Sequence, residues 1–338
     1  MHLEDRINAL VQLGHKLRSE DEYREAVIHR THFNNQWFTK DNQRQAITAI
    51  AESFLEETKL RDWVSNYKIE TLDPQTIALV LAGNIPLVGF HDVLCVFLSG
   101  HHAQIKLSEK DQYLLPYLFR ELKQIDERTV EYFSLVEKLN GFDAVIATGS
   151  NNSSRYFESY FSKFPNIIRK NRNAIAVLSG TETSTELKSF GQDVFQYYGL
   201  GCRNVSKIYV PEGYNFESLL EALHEYKEIV LNDKYKNNFD YNYAILVLNK
   251  VKYMANGCII LQENKQIASH IAGLHYEFYN EVSEIEEEIS NRAEEIQLVV
   301  AQDGLLSVPT FPFGAAQQPG LADYADGVDT LSFLLDLP

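Results

Sequence analysis

The stretch TIALVLAGNIP, residues 76–86, decides the fold of this chain. Residues 76–81 form a continuous apolar run with the length of a buried strand, and the run ends at Gly83, Asn84 and Pro86. Glycine, asparagine and proline favour turns because of their backbone preferences. The sequence therefore predicts a buried strand that ends in a tight turn.

Predicted helices and strands alternate after this turn. Their patterns indicate a helix at residues 88–98, a strand at 103–106, a helix at 112–123 and strands at 144–147 and 174–178. This alternation predicts an α/β fold with a parallel, doubly wound sheet. Ligands of such sheets bind at the carboxyl ends of the strands, so the residues that follow each strand are candidates for a site.

Polar residues follow three of the predicted strands. They are Asn84, Lys106, Ser108, Glu109, Thr148, Gly149 and Ser150. A glycine between hydroxyl residues that opens a helix can offer N–H groups and hydroxyls to a phosphate. The sequence lacks both the G-x-G-x-x-G fingerprint and the Walker A pattern, so a helix cap at 148–150 and a solvated loop at 106–109 stay open as alternatives.

Cys202 lies where a predicted helix, residues 184–198, passes into a predicted strand, residues 205–210. Gly199 and Gly201 precede it and let the backbone turn sharply. A thiolate at such a junction can attack a carbonyl, and its own backbone N–H can stabilise the oxyanion that forms. A small buried cysteine beside a helix-ending glycine is the alternative interpretation.

The other two cysteines, Cys95 and Cys258, lie within apolar runs and are expected in the core. Three widely spaced cysteines form neither a disulfide framework nor a zinc pattern, so we predict no metal and a reducing compartment. The formal net charge of −16 argues against general binding to nucleic acid or to an anionic membrane surface. The sequence shows neither an uninterrupted membrane span nor a signal peptide, so we expect a cytoplasmic protein without membrane insertion.

Three other regions give simpler predictions. Residues 1–66 read as an outer helical layer. Residues 233–243 read as a polar, aromatic loop, and residues 244–248 as a strand. The segment 309–320 is rich in proline and glycine and is predicted to be a loop.

Several motifs in this order resemble those of the aldehyde dehydrogenase superfamily. They are GNIP at 83–86, the helix-ending Gly100, KLSE at 106–109, TGS at 148–150, GLGC at 199–202 and PFG at 312–314. More narrowly, GNIP, GCRNVS at 201–206 and DYADGVD at 323–329 resemble the acyl-CoA reductases of the bacterial luminescence (LuxC) type. The resemblance covers residues 70–215 and 309–338.

The resemblance implies an aldehyde-dehydrogenase-like α/β fold, with a Rossmann-like cofactor domain and an α/β catalytic domain. It divides the chain into an N-terminal helical layer at 1–66, a cofactor domain at 67–178, a catalytic domain at 179–308 and a tail at 309–338 that returns to the active-site cleft. The active site is then expected between the two large domains.

The resemblance also implies a reaction, the reduction of an acyl-CoA thioester to the aldehyde through an acyl-cysteine. Cys202 would be the nucleophile, and the Asn84 side-chain amide would form the oxyanion hole together with the Cys202 backbone N–H. Acyl-CoA is the expected substrate. A second copy of the chain and an acyl-delivering enzyme are the candidate protein partners.

The implied cofactor-binding residues are Lys106, Ser108, Glu109, Thr148, Gly149 and Ser150. Lys106 and Glu109 would hold the adenosine ribose with Ser108 nearby, and Gly149 and Ser150 would approach the pyrophosphate. NADPH is the expected cofactor and NADH a usable second choice. Lys106 favours a 2′-phosphate by its charge, whereas Glu109 favours a free 2′-hydroxyl.

The chain departs from the oxidative members of the superfamily at residues 169–172. The sequence there is RKNR, where those enzymes carry the glutamate that activates water. Without a general base, hydrolysis of an acyl-enzyme is unaided, which favours a reductase. Glu182, the nearest acid in sequence, is expected at a helix start. An aldehyde dehydrogenase, an acyl-phosphate reductase and a non-catalytic scaffold of the same fold remain the alternatives.

Overall fold

The computed structural model describes residues 1–69 and 73–338. Their helices and strands are, in chain order, α1 (Leu3–Arg18), α2 (Glu22–Asn34), α3 (Lys40–Ala49), α4 (Glu57–Val64), β1 (Thr76–Val80), α5 (Phe90–Ser99), β2 (His102–Lys106), α6 (Leu114–Ile125), β3 (Phe133–Leu135), β4 (Ala144–Thr148), α7 (Asn151–Phe161), β5 (Asn166–Arg169), β6 (Asn173–Val177), α8 (Ser184–Phe195), β7 (Val205–Pro211), α9 (Glu217–His224), α10 (Asp233–Leu248), β8 (Met254–Ala255), β9 (Ile260–Glu263), β10 (Gly273–Tyr279), α11 (Val282–Asn291), β11 (Ile296–Ala301) and α12 (Thr330–Leu335).

The described chain forms two compact units. Unit 1 combines Met1–Asn171 with the C-terminal segment Pro319–Pro338, and unit 2 is the continuous segment Arg172–Gln318. Each unit holds one β-sheet. None of the helices in the described ranges is both long and apolar enough to cross a membrane.

The sheet of unit 1 has the strand order β3-β2-β1-β4-β5, and every neighbouring pair is parallel. Strand β1 lies at the centre, and its inner residues Ile77, Ala78 and Leu79 are fully buried. A central strand of a parallel sheet is covered on both faces, which is why its sequence is continuously apolar. The predicted doubly wound α/β fold is confirmed.

Helices cover both faces of this sheet. On one face α1, α3, α4, α5, α6 and the C-terminal segment share a single apolar core, to which Leu10, Leu60 and Leu331 contribute. On the other face Phe161 of α7 packs against Ala78 and Val145 of the sheet. The N-terminal helices are therefore part of the core of unit 1.

The sheet of unit 2 has the order β11-β6-β7-β10-β9-β8. Its strands pair in parallel except for the short edge strand β8, which is antiparallel to β9. Strand β6, which we predicted as the last strand of the first series, pairs with β7 and β11 in this second sheet. The strand that ends the series of unit 1 is β5, which is not among the predicted strands.

Residues 233–248 correct a second prediction. The expected loop and strand are one helix, α10. The Asn232 side chain caps it by accepting the N–H groups of Lys234 and Tyr235, and Tyr235 and Phe239, four residues apart, are its buried contacts. The apolar run at 244–248, predicted as a strand, is the largely exposed end of this helix.

Candidate active site

Three turns of unit 1 meet at the carboxyl edge of its sheet. They follow β1, β2 and β4 and carry Asn84, Lys106 and Gly149. Because β1 pairs with β2 on one side and β4 on the other, all in parallel, these strand ends lie side by side. The chain order reverses between β1 and β4, which is where open α/β sheets bind ligands. Within unit 1, the structure brings the predicted cofactor residues together at one edge with Asn84.

The turn that carries Asn84, residues 82–89, is joined to the next turn, residues 106–111; we name them the Asn84 turn and the Lys106 turn. Leu81 N–H, just before the Asn84 turn, donates to the Lys106 carbonyl over 3.2 Å, and Leu87 N–H donates to Asp111 Oδ2 over 2.8 Å. A side chain on Gly83 would overlap the Ser108 side chain, so only glycine fits. Asn84 itself is half-buried.

Leu87 has a left-handed backbone with a φ of 56°. For a residue with a branched side chain this conformation costs about 1–2 kcal/mol. The Leu87 side chain is buried, and its N–H is bonded to Asp111. The contacts around the Asn84 turn must therefore compensate for the strain in its backbone.

The Lys106 turn is also held from the N-terminal helices. Asn34 at the end of α2 donates from its side-chain amide to the Glu109 carbonyl over 3.3 Å, and Asn35 donates to the Lys110 carbonyl over 3.2 Å. The side chains of Lys106 and Glu109 are exposed at this edge. Both charged groups are thus available to a ligand, while the backbone between them is fixed.

The third turn begins α7. Ser150 is the N-cap residue, and its Oγ accepts the Ser153 N–H over 3.3 Å, so the helix-cap interpretation of this residue is correct. Gly149 donates its N–H to the Arg169 carbonyl over 3.3 Å. A Cβ atom on Gly149 would lie 2.8 Å from Phe157 Cε2 and 2.9 Å from Ser153 Cβ. Glycine is required here because α7 packs closely against the end of β4.

In unit 2, Cys202 follows an unusual backbone. After α8 the residues Tyr197, Tyr198 and Gly199 have φ values of 53°, 61° and 72°, all left-handed. Two of them are not glycine, so this segment is strained. It turns the chain from α8 to the start of β7, and Cys202 lies half-buried just before that strand. We name residues 196–204 the Cys202 turn.

Asn204 holds the Cys202 turn from within. Its Oδ1 accepts the Gly201 N–H over 2.8 Å, and its Nδ2 lies within hydrogen-bond distance of the Asp193, Val194 and Gln196 carbonyls. The last carbonyls of a helix have no partner within the helix, so one buried amide caps α8 here. Asn204 is almost fully buried, and the sequence analysis did not identify this role.

Asp193, near the end of α8, connects this helix to the loop that carries the PFG motif. Its two carboxylate oxygens accept the N–H groups of Gly314 over 2.7 Å and Ala316 over 2.9 Å. Burial raises the pKa of this carboxyl to about 6, although the two N–H groups partly offset the rise. Arg203 Nε donates to the Ala316 carbonyl over 2.5 Å, so the Cys202 turn and the helix before it are both bonded to this loop.

The family model described as acyl-CoA reductase (LuxC) matches residues 9–225, which is most of the chain. The chain belongs to the acyl-CoA reductase (LuxC) family. No curated protein matches its sequence.

Solved structures similar to this LuxC-family chain are aldehyde dehydrogenases and related enzymes. An aldehyde dehydrogenase from Bacillus cereus in complex with NAD⁺ is 14% identical, with a TM-score of 0.64, and the match covers 89% of this chain and 72% of that one. An NADP-dependent enzyme of E. coli is 11% identical, with a TM-score of 0.65 and coverages of 89% and 73%. The P. syringae indole-3-acetaldehyde dehydrogenase AldA is 12% identical, with a TM-score of 0.64 and coverages of 89% and 72%. Identities this low show the fold alone.

The two other cysteines of this LuxC-family chain are fully buried, as predicted. Burial raises the pKa of the Cys258 thiol to about 11 and raises that of Cys95 as well. A thiol with a raised pKa is a poor source of the nucleophilic thiolate. Cys202, half-buried at a strained turn, is the cysteine best suited to chemistry.

The RKNR segment begins with a buried ion pair. Arg169 Nη1 lies 2.5 Å from Asp92 Oδ2, and its Nη2 donates to Thr330 Oγ1 over 2.9 Å. Burial acts against the charged form of Arg169, but the Asp92 carboxylate outweighs it and raises the arginine pKa. Arg169 thus has a structural partner within unit 1.

Glu182 lies at the start of α8, immediately before its N-cap residue, Thr183. Its carboxylate accepts N–H groups from Ser179 and Gly180 and holds the turn after β6. The first turn of α8 is capped by Thr183, which forms a reciprocal capping box with Glu186.

Proposed function

We propose that this protein is an acyl-CoA reductase that forms an aldehyde through an acyl-cysteine on Cys202. The observation that carries the proposal is the Cys202 turn. It presents a half-buried thiol on a strained backbone that Asn204 holds in place, whereas the other two cysteines are buried. Membership of the acyl-CoA reductase family supports the same activity.

In the first stage the Cys202 thiolate attacks the thioester carbonyl of acyl-CoA. The Asn84 side-chain amide and the Cys202 backbone N–H stabilise the oxyanion, and the carbonyl reforms as the coenzyme A thiolate leaves. A thiolate needs little acid assistance to leave, because a free thiol has a pKa of about 8.5. The protein must therefore supply donors for the oxyanion, but it needs no strong general acid.

The second stage needs a nicotinamide cofactor, which supplies a hydride to the acyl-cysteine when it is bound. The carboxyl edge of the unit 1 sheet fits such a group. It offers the exposed ammonium of Lys106, the start of α7 at Ser150 and the close packing at Gly149. Lys106 would contact a 2′-phosphate and Glu109 the ribose hydroxyls. On this basis we propose NADPH, with NADH as a second choice.

The residues at 169–172 support reduction over hydrolysis. Arg169 stands in the segment where a water-activating carboxylate is expected in oxidative enzymes, and it is engaged with Asp92. An acyl-cysteine without a nearby general base persists long enough to be reduced. The product is then an aldehyde, which leaves when the reduced adduct on Cys202 collapses.

Intact-mass spectrometry tests the first stage directly. Wild-type protein mixed with an acyl-CoA should gain the acyl mass, and added NADPH should remove it with release of aldehyde. Cys202→Ala should gain no acyl mass, while the matched variant Cys258→Ala should still be acylated. Wild-type protein that never gains acyl mass from acyl-CoA would refute the proposal, and acylation by an acyl phosphate instead would reassign the substrate.

A further inference from the structure

The Asn84 turn depends on a residue that lies in the Lys106 turn. Asp111 Oδ2 accepts the N–H of Leu87, three residues after Asn84, over 2.8 Å. The two residues are 24 positions apart in sequence, and the bond is buried. It fixes the peptide group that enters the left-handed conformation of Leu87.

Burial of the Asp111 carboxylate at this position costs folding free energy. It is 7% exposed, and its second oxygen, Oδ1, has no partner with good hydrogen-bond geometry among the residues that the structure describes, although the Leu114 N–H at the start of α6 also acts on the carboxylate. A buried carboxylate with an unsatisfied oxygen opposes folding. Local features that conflict with stability are expected at sites that serve function.

The residues around Asp111 connect it to the turn that carries Asn84. A small cavity beside it is lined by Leu81, Leu87 and Ser108, that is, by both ends of the strained turn and by the Lys106 turn. Gly83, at the beginning of the turn, packs directly on Ser108. Asn84 thus lies between two points at which its turn is attached to the same neighbouring segment.

We propose that Asp111 is a positioning residue, which orients the Asn84 amide for oxyanion stabilisation by holding the Leu87 N–H. The inference rests on the proposed function, in which Asn84 is an oxyanion donor. Asp111 itself contacts neither the substrate nor the reacting atoms in this scheme. Its loss would let Leu87 relax from the left-handed conformation and move the Asn84 turn relative to Ser108.

Two nearly isosteric variants separate positioning from simple stability. Asp111→Asn removes the charge but keeps an oxygen that can accept the Leu87 N–H. Asp111→Leu removes the charge, fills a similar volume and offers no acceptor. Both variants remove the buried charge, so both are expected to fold. They differ in whether residue 111 can accept the Leu87 N–H.

The readout is the rate of acyl-enzyme formation per folded molecule, followed by rapid-quench intact-mass spectrometry with acyl-CoA. We expect Asp111→Asn to stay within about three-fold of wild type. Asp111→Leu should be slower by about 10- to 100-fold, since small misplacements of a catalytic group cost up to that much. The dissociation constant for NADPH should change by less than about three-fold in both, because the exposed Lys106 side chain is not bonded to Asp111.

Glu121→Ala is the matched control, because Glu121 is another buried carboxylate of unit 1 and is paired with Lys16 and Arg120. It should lose stability while keeping the acylation rate of its folded fraction. Equal rates for Asp111→Leu and Asp111→Asn would overturn the inference. Failure of the proposed function is a separate result, in which wild-type protein gains no acyl mass.

Discussion

A buried carboxylate lies next to the Asn84 turn of unit 1 and another lies next to the Cys202 turn of unit 2. Asp111 accepts the N–H of Leu87, which belongs to the Asn84 turn itself. Asp193, near the end of α8, accepts two N–H groups of the PFG loop, and Arg203 of the Cys202 turn donates to the same loop. Asn204 adds hydrogen bonds within the Cys202 turn itself. The turn that carries the proposed nucleophile is therefore fixed more firmly.

This difference matches what the two turns would do. A nucleophile must point in one direction, so rigid support at Cys202 is an advantage. The Asn84 turn is attached to the Lys106 turn, so movement of the proposed cofactor site is transmitted to the proposed oxyanion donor. Hydrogen exchange should accordingly be faster at Leu87 than at Gly201.

Asn84→Ala should have the largest effect on the reaction. Loss of one oxyanion donor lowers turnover by about 10²–10³-fold, with a smaller effect on substrate binding. Steady-state kinetics of acyl-CoA reduction measure it, with thermal unfolding as the control. A normal rate per folded molecule together with a lowered melting temperature would make Asn84 a structural turn residue.

Asn204→Ala should have the largest effect on stability. It leaves the buried Gly201 N–H and the last carbonyls of α8 without their partner, so the free energy of unfolding should fall by about 3 kcal/mol. Urea denaturation of wild type and variant measures this loss. A change below about 1 kcal/mol would mean that water or a shifted backbone replaces the amide, and the Cys202 turn would then be no firmer than the Asn84 turn.

The buried carboxylate of Asp111 predicts a pH dependence of stability. Burial raises its pKa to about 6, above the value of about 3.9 in an unfolded chain. The folded state then binds the proton more tightly, so this stabilisation is complete below about pH 4 and is lost as the pH rises through about 6. The stability advantage of Asp111→Asn over wild type should therefore grow by roughly 2–3 kcal/mol between pH 4 and pH 7.5.

Asp193→Asn tests the difference between the two carboxylates. The new amide NH₂ would face one of the two N–H groups that Asp193 accepts. At pH 7.5 the free energy of unfolding of Asp193→Asn, relative to wild type, should therefore be about 1–3 kcal/mol lower than that of Asp111→Asn. Urea denaturation at both pH values gives both results. Equal gains in the free energy of unfolding for the two variants would show that the second carboxylate oxygen of Asp193 does not stabilise the fold.

Lys106→Met should have the smallest effect, which is on cofactor choice. The exposed ammonium would gain a charge-assisted contact with a 2′-phosphate, and solvent weakens it, so NADPH affinity should fall by about ten-fold and NADH affinity by much less. Fluorescence titration of both cofactors measures the two dissociation constants. Equal losses would mean that Lys106 binds the ribose hydroxyls and does not discriminate between the cofactors.

The fold class could be predicted from the sequence alone, and so could the edge of the sheet where the polar residues lie. A covered central strand must be continuously apolar, as at residues 76–80, and parallel strands expose their carboxyl ends together. The same reasoning failed at 244–248, because an apolar run at an exposed helix end has the same composition as a buried strand.

The supports of the site could not be predicted from the sequence. The bond between Asp111 and Leu87 joins residues 24 positions apart, and no local pattern specifies it. Left-handed backbone at Leu87, Tyr197 and Tyr198 runs against the preference of these residue types. Such conformations persist only because the folded surroundings impose them, so they become visible only in the structure.

The discontinuity of unit 1 has a consequence for biosynthesis. The core of this unit includes Leu331 and Leu334, and Arg169 is bonded to Thr330. Unit 1 therefore cannot be completed before residues 319–338 have been made. Unit 2 is continuous and is made earlier, so the second unit in the chain should finish folding first on the ribosome. Chains extended past residue 338 by a ribosome-arresting segment, so that residue 318 has emerged while residues 319–338 are still inside the exit tunnel, should resist protease within unit 2 and be cut within unit 1. Equal resistance of both units at that length would contradict this order of folding.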